Sequence, residues 1–336
     1  MNRWNLCPET ISPTPKKTMT MPFALATSPQ LAGFVDYGNV AVITALGYNS
    51  GGKIGGVALM NQEGTVTTIP HPGASGDAFV VRATSDIRFA AALILANNYV
   101  HVRLYAADGT YEREFVSSAP STNYGYLPAL SGDGRILFID ETYLNRLHVF
   151  NADTGALIRT ISDPHPTTNN FPSSIASSYD GSTYTVTSYN NYGYVYTSGS
   201  TPLREYTGTP NLLPNAKGTQ VARTATASSE ICYIRDVASD TLVNTLTFPA
   251  GTYGACGWNR NGSKFSAFAF ANGTPSGSGE LYVYDGYTFA PIVTCKGSAT
   301  NDFMFMSSMI SSSGGSLWAS AAFGSYGYGT TKICLY

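Results

Sequence analysis

What this chain has little of narrows what it can be. Charge is scarce: 12% of the 336 residues are Asp, Glu, Lys or Arg, about half the usual share. Net charge is −2 at pH 7, and no basic stripe stands out. That argues against nucleic acid or an anionic membrane as the main partner. No run approaches the ~20 apolar residues of a membrane span. The opening MNRWNLCPETISPTPKK lacks the apolar centre of a signal peptide. The five cysteines (Cys7, Cys232, Cys256, Cys295, Cys334) form no C-x-x-C pair. Neither a disulfide framework nor a zinc site is therefore expected. The thiols read as ordinary small buried residues of a chain that folds in a reducing cytoplasm. No segment keeps a helical period.

What is abundant is Gly (34) and Tyr (23), together with a recurring hairpin. RLHVFNADTGALIRTI (146–161) reads as strand, tight turn and strand. HVRLYAADGTYEREF (101–115), GYVYTSGSTPLREY (193–206) and ELYVYDGYTFAPIVT (280–294) read the same way. Aligning the hairpins gives an apolar column, Leu59, Leu104, Val149, Val195, Ile234, Val283 and Leu335, spaced by 39 to 52 residues. Upstream in each unit lies a turn dipeptide: Tyr37-Gly38, Asp86-Ile87, Asp133-Gly134, Asp180-Gly181, Lys217-Gly218, Asn261-Gly262 and Gly314-Gly315. Such pairs suit turns that need positive φ. Alternating segments such as ILFID and YTVTS lie between the landmarks. Each unit is thus four short antiparallel strands, a to d.

Repeated four-stranded units of about 45 residues predict an all-β fold, a seven-bladed β-propeller. The last register supplies only strands b (SLWASAAF) and c (TTKICLY) before Tyr336. The segment KKTMTMP (16–22) is expected to provide the missing strand d and close the ring, removing an open edge. Residues 1–13, with Trp4 and a Pro-rich stretch, are left as an N-terminal arm, and 14–336 form the propeller domain.

Over about residues 14–336 the pattern resembles the WD-repeat and YVTN-type propellers, with HVFNADTGALIRTI closest to the YVTN form. The Trp-Asp and Gly-His marks of true WD repeats and the Kelch double glycine are missing. The resemblance implies a fold and brings no catalytic residues with it.

No constellation of catalytic residues stands out. The histidines His71, His101, His148 and His165 fall in different columns and do not form a ligand ring. DPHP (163–166) offers one imidazole and one carboxylate, too few for a metal. SSYDGSTY (177–184) has the Asp-Gly turn of a sialidase box without its Trp. Asp36, Asp86, Asp133 and Asp180 recur at equivalent turns and read as structural. No cofactor or metal is expected.

The loops carry the functional signal. In a propeller the b–c and d–a connections share one face. Here they are rich in Tyr, Asn, Ser and Gly, the composition of antibody paratopes. Tyr48, Asn49, Tyr124, Asn170, Phe171, Tyr189, Asn190, Asn191, Tyr192, Tyr326 and Tyr328 are the candidate contact residues for a partner or glycan. The expected function is a non-enzymatic binding or assembly module. Its neutral, Gly/Ser/Thr/Tyr-rich texture resembles that of a tailed-phage virion protein. That resemblance implies a virion location, other virion proteins as partners, and a host-surface glycan or receptor as a further ligand. The competing expectations are a hydrolase or lyase working in the central channel and an intracellular interaction scaffold.

Overall fold

The computed structural model describes residues 17–20, 29–45, 54–61, 63–73, 78–94, 99–116, 128–141, 144–165, 171–188, 191–208, 211–224, 231–248, 256–269, 280–296, 303–304, 310–311, 318–323 and 332–335. Among these residues the regular elements are strands, apart from one short 3-10 turn, Asp36–Gly38. All four quoted hairpins form. In the third repeat, strand c (Arg146–Asn151) pairs with strand d (Leu157–Ser162), Leu147 opposite Ile161. Gly155 supplies the positive φ (77°) that the turn between them needs.

The fold is all-β, a propeller of four-stranded antiparallel units, but among the described residues the sheets number six, not seven. Four are simple four-stranded sheets. The difference arises at one bridge. In the first repeat, strand c (Ile54–Asn61) runs beside strand a of the second (Ala78–Thr84), and Ile54 and Gly55 pair in parallel with Ala78 and Phe79. Two 45-residue periods thereby share one eight-stranded sheet. The final sheet joins Phe303–Met304, Ile310–Ser311, Trp318–Phe323 and Lys332–Leu335 to Lys17–Thr20. Lys17 lies opposite Leu335 and Thr20 opposite Lys332.

The apolar column has a physical cause. Leu104, Val149, Ile234 and Val283 are buried, and the c–d ladder shifts register immediately after each of them. In each case the extra residue lies in strand d (Glu112, Ile158, Val243 and Ile292), and such a bulge strengthens the local twist. Tyr184, Val186, Tyr194 and Tyr196 of the fourth repeat pack against Phe138, Leu147 and Ile161 of the third. Cys232, Phe265 and Ala267 join the fifth and sixth repeats in the same way. The core therefore lies between sheets, where each fully buried Val, Leu or Phe contributes ~1.5–3 kcal/mol.

Four of the a–b turns repeat a six-residue device. Its first side chain accepts from the sixth backbone N–H: Ser131 from Ile136 (2.9 Å), Ser178 from Thr183 (3.1 Å), Asn215 from Gln220 (3.2 Å) and Asn259 from Lys264 (3.0 Å). The fourth residue is glycine at positive φ: Gly134, Gly181, Gly218 and Gly262. The second residue is Gly132, Tyr179, Ala216 or Arg260, and Tyr179 and Arg260 point inward, to Asp86 of the second repeat. This corrects the expected equivalence of Asp86 with Asp133 and Asp180. Asp133 and Asp180 hold their own turns, taking backbone N–H bonds from Arg135 and Ser182. Asp86 follows the leading Ser85 and takes the inward position.

Candidate functional site

The inward positions meet. Arg260, from the sixth repeat, donates from Nη1 to the Phe34 carbonyl (2.8 Å) and to Asp86 Oδ1 (3.2 Å), and from Nη2 to Thr84 Oγ1 (2.6 Å). Tyr179, from the fourth repeat, donates its hydroxyl to Asp86 Oδ2 (3.0 Å). Groups from the first, second, fourth and sixth repeats can converge only near the axis. Backbone bonds bind the same turns to one another: Asp86 N to Gly132 O (2.9 Å), Asp133 N to Tyr179 O (2.8 Å) and Tyr179 N to Ala216 O (2.9 Å). Gly132 is required because a Cβ there would lie 2.6 Å from the Tyr179 ring and 3.1 Å from its Cα.

Electrostatics follow from burial. The Asp86 side chain is 1% exposed and that of Arg260 13%. Burial pulls the Arg260 pKa down, and the Asp86 charge opposes this. Burial, reinforced by Asp86, pushes the Tyr179 phenol up to about 12. Asp86 thus accepts from two side chains, Arg260 and Tyr179. Chemically the cluster is a lock across the axis.

The loop-face candidates are described only in part. Phe171, Asn191 and Tyr192 are described, and Tyr48, Asn49, Tyr124, Asn170, Tyr189, Asn190, Tyr326 and Tyr328 fall outside the described residues. Tyr192 opens strand c of the fourth repeat (Tyr192–Tyr196) and is half-buried. Its ring stacks on His165 at 4.7 Å, and His165 Nε2 lies 2.8 Å from Glu205 Oε1. Asn191 is exposed at φ 61° in the b–c turn. Phe171 differs from the expectation. It is wholly buried and meets Tyr194 edge-on at 5.9 Å, so it packs the seam behind the face instead of presenting on it. Asp163, also at this seam, has its carboxyl pushed up by burial.

Three of the histidines carry carboxylate partners that column alignment does not reveal. Besides His165 with Glu205, His101 meets Glu114, and His148 Nε2 lies 2.8 Å from Glu141 Oε2. The pairs join residues separated by 13, 7 and 40 positions. Among the described residues no group of three or more His, Cys, Asp or Glu could hold a metal ion. Among them, too, no helix is long and apolar enough to cross a membrane.

Across its whole length the chain superimposes on 95% of a chain from a structure titled "Crystal Structure of Mitotic Checkpoint Complex", with a TM-score of 0.65 and 14% identity. This protein is a β-propeller. In all, 1313 chains of solved structures match, and so wide a likeness at so low an identity carries fold and not function. No protein-family model matches the propeller, and no curated protein matches it.

The residues that sequence reading missed are Arg260, Tyr179 and Gly132. A signal was present: each is the second residue of the Ser/Asn-x-Asp/Asn-Gly turn, in SGDG, SYDG and NRNG. Reading those turns only for their glycines hid the inward position.

Proposed function

We propose that the chain is a non-enzymatic interaction module that displays its b–c and d–a loops as a contact face. In this reading residues 14–336 form one ring, closed by Lys17–Thr20, and residues 1–13 form an arm. The pairing of Lys17–Thr20 with Lys332–Leu335 supports closure. The observation that carries the contact face is Tyr192, half-exposed beside Asn191 and stacked on His165. An aromatic held rigid at a rim loses little entropy on contact. The finer assignment, a virion protein that assembles with other virion proteins and engages a host glycan, rests on sequence texture alone.

The test uses the full chain and the Tyr192→Ala/Tyr326→Ala variant on a glycan array and against purified candidate virion proteins. The expected result is binding at fixed stoichiometry, weakened at least tenfold in the variant and tolerant of salt. Unchanged affinity in the variant removes the face from the proposal. Turnover of an arrayed glycan replaces the module with an enzyme.

A further inference from the structure

Two thiols from neighbouring repeats touch. Cys232 lies in strand c of the fifth repeat (Ile231–Asp236), and Cys256 opens strand a of the sixth (Cys256–Trp258). They are 0% and 4% exposed, inside the apolar cluster that joins the two sheets. Their Sγ atoms are 3.1 Å apart, only about 1 Å beyond a covalent S–S bond. Each cysteine is pinned by its own ladder, Cys232 between Thr224 and Leu246 and Cys256 against Ala267. The two side chains are thus held pointing at each other from separate sheets.

We propose that Cys232 and Cys256 form an oxidation-dependent covalent staple between the fifth and sixth repeats. The oxidant is a peroxide. One thiolate attacks a peroxide oxygen, breaking the O–O bond and giving a sulfenic acid and one water. The second thiol attacks the sulfenic sulfur, forming the S–S bond and releasing a second water. Together the two thiols lose two electrons and two protons, and hydrogen peroxide becomes two waters. Cys256, the slightly more exposed, is oxidised first and Cys232 resolves. The Cys256 contact and burial both push the Cys232 thiol up and keep it protonated. Closure is therefore slow in the folded chain and fast while the sixth repeat is still docking. The staple is independent of the contact-face reading.

The full chain is reduced and divided. One portion is treated with hydrogen peroxide while folded, another during refolding from denaturant. Intact mass, peptide mapping without reductant and thermal melting are then read. The expected product is about 2 Da lighter and carries a Cys232–Cys256 linked peptide. Its melting temperature is higher by roughly 5 °C, reversed by reductant. It forms faster during refolding, and Cys256→Ala abolishes the shift. Two free, alkylatable thiols at these positions after both treatments overturn the proposal, as do links that use Cys7, Cys295 or Cys334 instead. The wild-type mass and map decide the matter even where the variant folds poorly.

Discussion

The two ends of the propeller solve different problems. At the end bearing the a–b and c–d turns, connections are short and bonded. Backbone bonds tie turn to turn and Arg260 crosses the axis to Asp86. Nine of the ten exposed large hydrophobics among the described residues lie there, at turns or at the start of strand d, including Leu157, Leu242 and Tyr287. The b–c and d–a connections are longer in sequence, and their Tyr and Asn residues are those of the proposed contacts. One end is held by local geometry plus a buried ion pair, the other by packing of the seams beneath it. A surface built from short bonded turns is rigid in any repeat. A surface built from loops is free to vary from repeat to repeat without disturbing the core.

The comparison breaks most sharply at the axis. Arg260→Ala leaves Asp86 buried without its cation, and the expected loss is about 3–5 kcal/mol in denaturant unfolding. A loss below ~1 kcal/mol would mean that the axial network does not hold the turn end together. Next comes the loop end. Tyr192→Ala with Tyr326→Ala should cost about 2 kcal/mol of binding while the melting temperature falls little. A large fall in melting with binding unaffected would make Tyr192 a packing residue like Phe171.

A third prediction concerns alkaline pH. The Tyr179 pKa is raised in the folded state to about 12, above its ordinary value of about 10. The stability linked to it is complete below pH ~10 and is lost as pH rises through about 12. Tyr179→Phe should flatten that part of the pH profile, measured as unfolding midpoint against pH. An identical slope in the variant would place the alkaline loss at other phenols, such as Tyr184, also pushed up to about 12 by burial. The smallest effect belongs to Tyr196, on the strand that begins at Tyr192. Its hydroxyl is buried without a hydrogen-bond partner among the described residues. Tyr196→Phe is expected to be neutral or stabilising, within about 0.5 kcal/mol. A loss above ~1 kcal/mol would show that the hydroxyl has a partner outside the described residues.

Much of the fold was legible because it is periodic. The Asp-Thr-Gly turn at 153–155 forces one hairpin, and the same chemistry recurs along the chain. The sheet count was not legible. Whether Ile54 and Gly55 hydrogen-bond to Ala78 and Phe79 depends on how closely two strand ends approach, which no turn residue records. At the contact face, Tyr192 and Phe171 look alike in sequence, yet one is half-exposed and the other has no exposure. Burial of a loop aromatic is set by the neighbouring sheet.

The sequence by itself determined the local chemistry: glycines at positive φ, leading Ser and Asn side chains that cap four of the a–b turns, and an apolar column in strand c that turned out to sit opposite a bulge in strand d. These act over six residues or fewer, so the chain carries them wherever it goes. Only the tertiary structure decided the meetings. Asp86 and Arg260 are 174 residues apart, and Tyr179 joins them from a third repeat. Cys232 and Cys256 touch because two sheets pack face to face. Periodic sequence encodes the unit, but the closing geometry of the units chooses which side chains meet, because those contacts depend on the angle between sheets and not on spacing along the chain.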